Sequence, residues 1–181
     1  ACILSRVVTS IYHIEDIDSL RFALAIQEFS IIKLQPHFPG YPVFCFFSKI
    51  LFFCTNSIGV TFSIIGGVSI FIIIYFILRL ADIELNTFRG VFCSALIFFN
   101  PLLYIMSNRY MPDLFGAAIA LTGIYFLISE KNFKWSVAIG FFLVGTLAGI
   151  RLSYLPLMII PILDGLKKIR QKKYLLLSFS L

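Results

Sequence analysis

Charge is what this sequence lacks. Only 13% of its residues are Asp, Glu, Lys or Arg, against about a quarter in an ordinary soluble domain. With 60% hydrophobic residues and a mean hydropathy of +0.97, too little polar surface is left to wet a globule. Water is excluded as the solvent for most of the chain, and lipid takes its place. The four cysteines (Cys2, Cys45, Cys54, Cys93) form no C-x-x-C pair, which leaves buried thiols and excludes a zinc site or a disulfide framework. The net charge of +6 comes without a basic stripe interleaved with aromatics, so nucleic acid is not a partner. Also missing are a secretory leader pattern at the start, an internal repeat and a low-complexity linker.

What is there is apolar and runs in blocks: Val43–Cys54, Ile58–Leu80, Val91–Met106, Leu114–Ile128, Val137–Ile150 and Leu152–Leu163, with a further run opening near Tyr174. As a helix, Ile58–Leu80 spans about 35 Å, enough to cross a bilayer. None of the blocks alternates as a membrane strand would. The expected fold class is therefore all-α: a polytopic transmembrane helical bundle with an outer-face catalytic loop and juxtamembrane helices. Residues 1–12 read as the end of a first transmembrane helix, 13–57 as the outer loop and 58–181 as the bundle. Ala1 in place of Met and the open run at Tyr174 read as the cut ends of a longer protein.

Basic residues set the orientation. Lys167, Lys168, Arg170, Lys172 and Lys173 form the densest cluster and are assigned to the cytoplasm. Counting back, Glu130–Lys134 and Arg79–Arg89 fall inside, and Ser107–Asp113 falls outside. Val43–Cys54 decides the rest. About 12 apolar residues are too few for a comfortable span, so the run is read as a juxtamembrane helix on the outer leaflet. That places the acid-bearing island His13–Pro42 outside. Leu20–Phe29 reads as a short helix there, capped by Asp18 or Ser19, with a partly apolar edge along the membrane. Gly145 and Gly149 form a small-xxx-small pair suited to close helix approach.

Four features could carry chemistry. In an extended loop, Asp16 and Asp18 would point to one side and converge on one ion, hydroxyl or cation; the alternative is a solvated loop with Asp18 as a cap. Pro36-His37-Phe38-Pro39-Gly40-Tyr41-Pro42 reads either as a rigid entry turn with Tyr41 as a headgroup-level anchor, or as a support for His37 acting on a phosphate or an aspartate. Arg109 and Asp113 are either phosphate-facing or an ion pair closing their own loop. Arg151, between two apolar runs on the outer face, opposes the positive-inside bias; it either snorkels or meets an anionic headgroup or phosphate. His13 beside two acids is a weak metal signal.

The order Asp16-x-Asp18-Ser19, Phe22-Ala-Leu-Ala, then Gln35-Pro36-His37-x-Pro39-Gly40-Tyr41 resembles the first outer loop of polytopic GT-C glycosyltransferases. The similarity is to family 39-like bacterial enzymes, allied to protein O-mannosyltransferases and the aminoarabinose transferase of lipid A. Ser107 with Pro112-Asp113, and Gly149-Ile150-Arg151, are similar to two later elements of that family. Phe38 stands where the family usually has the first proline of a pair. The resemblance implies sugar transfer from a polyprenyl-phosphate donor to an acceptor hydroxyl (lipid, glycan or protein) at the outer face of a bacterial plasma membrane. It implies Asp16 as general base and Asp18 as the residue orienting the acceptor, or a divalent cation where one is used. Arg109, Arg151 and His37 would face the leaving phosphate. The alternative function is a polytopic transporter or flippase of lipid-linked or anionic substrates, whose outer acids and arginines line an entry path.

Overall fold

A computed structural model describes residues 1–129 and 133–178, with side chains omitted for 133, 134 and 171–178. It is all-helical, and no strand occurs among the described residues. In chain order the helices are α1 (Cys2–Val8), α2 (Ile17–Gln27), α3 (Pro42–Thr55), α4 (Ile58–Leu80), α5 (Phe88–Phe98), α6 (Pro101–Met106), α7 (Asp113–Ile128) and α8 (Phe133–Ala148); a 3-10 segment, Leu152–Met158, then leads into α9 (Ile159–Ser178).

Local chemistry sets most of these boundaries. The Asp16 side chain accepts from Ser19 N at 2.7 Å and caps α2, so this helix starts three residues earlier than the expected Leu20. Pro42 opens α3, where its missing N–H is no loss. Asn56, with φ of 50°, stops α3 in the left-handed conformation that asparagine tolerates. Thr87 caps α5 and Asn100 caps α6, each accepting from a backbone N–H at 3.1 Å. The run expected as one helix over Val91–Met106 is thus two, broken where Asn100 precedes Pro101. Leu152–Leu163 is likewise not a single helix: it starts as a 3-10 segment containing Pro156, and α9 then continues beyond Leu163 through the basic cluster. Glu130, Lys131 and Asn132 of the expected inside loop lie outside the described residues.

Among the described residues, α4 alone is long and apolar enough to cross a membrane; α3, α5, α7 and α8 are apolar but shorter. Buried Thr61 and Ser69 of α4 donate to carbonyls four residues back, at 2.8 and 2.7 Å, and so remain satisfied. α7 packs against α4, α6, α8, α9 and the 3-10 segment, and α1 packs along α4. At the C-terminus of α7, Lys168 donates to Leu127 O (3.3 Å) and Ile128 O (2.6 Å) while pairing with Asp164 at 2.8 Å. A cation is well placed at that negative helix end.

Three further expectations change. The apolar edge of α2 (Leu20, Ala23, Leu24, Ile26 and Gln27) is divided: Ala23 and Ile26 are buried in one cluster with Phe22, Phe44, Phe62 and Ile150, while Leu20 and Gln27 are exposed. Gly145 meets nothing, whereas a Cβ on Gly149 would strike Val43, whose N–H donates to Gly149 O at 3.0 Å. Cys54 is exposed rather than buried, while burial pushes the Cys45 thiol up to about 12.

Candidate functional site

At one end of the helices, the island between α1 and α3 meets the α6–α7 turn and the start of the 3-10 segment. Two polar chains run through this junction. In the first, Arg109 holds both acids that precede α2. Its Nη2 donates to Asp16 Oδ2, and its Nε lies 3.1 Å from Glu15 Oε2. Asp16 therefore has both oxygens engaged, one by Ser19 N and one by Arg109. Burial alone would raise its pKa, but donation from Ser19 and the Arg109 charge prevail and hold it below the usual carboxylate range. The carboxylate is ionised at neutral pH and, while so engaged, is a weak base.

The second chain begins at Asp18, in the first turn of α2. Its Oδ1 is 3.3 Å from Arg21 Nη1 and 3.4 Å from His37 Nδ1. The other His37 nitrogen, Nε2, is 3.2 Å from the Tyr41 hydroxyl. Arg151 Nη1 reaches the same hydroxyl at 3.5 Å, and its Nη2 pairs with Asp113 Oδ1 at 2.7 Å. Phe22 braces the middle of the chain, with its ring edge-on to His37 and Tyr41 at 5.5 and 5.1 Å. Tyr41 takes a φ of 45°, uncommon for an aromatic residue, at the position where the island turns into α3.

All seven residues singled out from the sequence (Asp16, Asp18, His37, Tyr41, Arg109, Asp113 and Arg151) are thus brought together, but not in the expected pairs. Asp16 and Asp18 do not converge. Helix α2 starts between them, so the extended-loop geometry that would align them does not apply, and they face different cations. Arg109 and Asp113 do not pair with each other; each is taken by a more distant partner, Asp16 or Arg151. No three of His, Cys, Asp and Glu gather as metal ligands among the described residues. Asp16 and Asp18 each face a cation, and exposed His13 lines a small pocket with Glu15, Ser19 and Arg109.

Sequence reasoning missed two participants. Glu15 was counted only as part of the acidic island. Arg6 is fully buried in α1, donating to Ser107 Oγ (2.6 Å), Ser5 Oγ (3.1 Å) and Phe98 O (3.2 Å), with its guanidinium over the Tyr104 ring at 3.8 Å. The signal was a lone cation in an otherwise uncharged opening stretch. Arg6 fixes the Ser107 turn, two residues before Arg109. Asn108 adds bonds to Thr9 O and Oγ1, both at 2.9 Å. Tyr110 stacks on Phe62 at 4.6 Å and donates its hydroxyl to Ile11 O. Beside Tyr110 a cavity of about 350 Å³ opens, lined also by Tyr12, Ile14, Ala23, Asn56 and Gly59.

No protein family, curated protein or solved structure matches the chain.

Proposed function

We propose that this chain is part of a multi-pass GT-C membrane glycosyltransferase that moves a sugar from a polyprenyl-phosphate donor to an acceptor hydroxyl at the outer face. One observation carries the reading. An ionised aspartate, Asp16, shares a single junction with two arginines, Arg109 and Arg151, in a chain of largely apolar helices. A membrane setting is supported by α4 and by exposed apolar side chains on other helices, such as Phe53 (90% exposed), Phe88 (85%) and Ile160 (79%). Such faces are unusual on a soluble monomer.

In the proposed reaction, Asp16 takes the proton of the acceptor hydroxyl as its oxygen attacks the anomeric carbon. The bond from that carbon to the phosphate oxygen breaks, and the lipid phosphate leaves with the electron pair. Arg109 and Arg151 stabilise the growing phosphate charge. His37 and Tyr41, tied to Asp18 on one side and Arg151 on the other, fix the position of Arg151. The cavity beside Tyr110 lies within the size range of small-molecule clefts and offers room for an acceptor.

The test is transfer by the whole protein in lipid nanodiscs, supplied with a panel of polyprenyl-phosphate sugars. Asp16→Asn keeps the helix cap and should lower turnover by about 10²–10⁴-fold, the usual contribution of a general base. Full turnover in a folded Asp16→Asn protein removes Asp16 from that role. The breaks at Asn100–Pro101 and in the 3-10 segment favour a second reading as a transporter of anionic or lipid-linked substrates, since broken helices are common around transport sites. Uptake into proteoliposomes without sugar transfer would select it.

A further inference from the structure

Both site arginines hold a buried Nε that makes no hydrogen bond. Buried donors are rarely left so, and here they lie at the same junction. On a guanidinium, Nε and Nη2 form one edge, a two-pronged fork that matches two oxygens of a single anion. In Arg109 that fork is divided: Nη2 is bonded to Asp16, while Nε lies beside Glu15 without pointing a bond at it. In Arg151 only one prong is used, by Asp113, whose Oδ2 is itself left without a partner. Two acids compete for Arg109, and neither fills its fork. A phosphate ester can, because two oxygens on one phosphorus span both prongs.

We infer that Arg109 is a latch: a phosphate-bearing ligand displaces Glu15 and Asp16 from its fork, and Asp16 becomes a competent base only after the phosphate is seated. This rests on the glycosyltransferase reading for its purpose, but not for its geometry. Loss of Arg109 leaves Asp16 with the Ser19 cap alone, and its proton affinity rises toward the ordinary carboxylate value. The enzyme would then activate the acceptor only when a donor is present, which suppresses idle proton transfer.

The test measures binding of farnesyl phosphate, inorganic phosphate and farnesol to the whole chain in nanodiscs by calorimetry. Removing a competing acid should tighten phosphate binding, so Glu15→Gln and Asp16→Asn should each bind at least about fivefold more tightly than the parent. Arg109→Met should lose the binding, and farnesol should show no response to any of the three substitutions. If inorganic phosphate follows the same pattern, the latch accepts a free anion; if only farnesyl phosphate does, it accepts a lipid-linked one. Unchanged or weaker phosphate binding in both acid variants overturns the latch, as does full binding by Arg109→Met. Tightened binding without any sugar transfer keeps the latch and removes the glycosyltransferase reading. Transfer with unaltered affinities does the reverse.

Discussion

Among single residues, Arg6 poses the sharpest energetic question. It is a fully buried cation, and no carboxylate is among its partners in the described residues. Burying an ion costs several kcal/mol even after relaxation. Against this stand three charge-assisted hydrogen bonds at about 1.5–3 kcal/mol each and a ring contact of about 1–2 kcal/mol. The two sides nearly cancel, so the sign of a substitution depends on which part it removes. Arg6→Met discards the charge together with the bonds. Arg6→Lys keeps the charge but cannot reproduce the planar fork or its stacking on Tyr104. We expect Arg6→Lys to lower the melting temperature more than Arg6→Met, as followed by circular dichroism in detergent; the opposite order would mean that the charge itself is stabilising. At this scale the sequence named the site residues well but paired them poorly. A carboxylate three residues before Ser19 could be read as a helix cap, and that reading turns Asp18 away from Asp16. The partners of Arg109 and Arg151 lie far away along the chain, where spacing carries no information.

Helices and turns depend on a few close approaches. A Cβ on Gly66 would collide with the Ser107 carbonyl, on the segment that delivers Arg109 to the site. Gly66→Ala must therefore push that segment away, and we expect a loss of about 1–3 kcal/mol in unfolding free energy. Gly145→Ala meets open space and should be neutral or slightly stabilising through helix propensity. Equal effects of the two in denaturant unfolding would remove the close-packing explanation. Much at this scale was legible. The runs Ile58–Leu80 and Leu114–Ile128 coincide with α4 and α7 to within a residue. The break before Pro101 was missed in the run Val91–Met106, although the Asn-Pro pair that ends a helix on one side and caps the next carries its signal. The continuation of α9 through its lysines was not legible, because helix propensity does not distinguish an exposed basic helix from a basic loop.

For the whole molecule, the outstanding property is sidedness. The site residues gather at one end, while Lys168 closes α7 at its other terminus. Under the proposed topology, in a Cys54→Ser background that removes the exposed native thiol, His13→Cys should react with an impermeant maleimide in intact cells, and Lys167→Cys only after permeabilisation. Buried Cys45, its thiol pushed up to about 12, should stay unmodified at pH 8 in both conditions. Labelling of position 167 in intact cells would invert the molecule. The expectation of two opposite faces came from the basic residues, while the inward packing of α2 depended on partners in α3 and α4 that no local pattern reveals.

The bond from Val43 N–H to Gly149 O has a consequence for how the chain can vary. Tyr41 lies two residues before one end of that bond, and Arg151 two residues after the other. Their meeting is therefore gauged locally, as two short arms from one pin, and not through the accumulated geometry of the 110 positions that separate them. Helices between the two arms could lengthen, shorten or bend without disturbing the contact, provided the pin holds. One inserted residue on either arm would undo it.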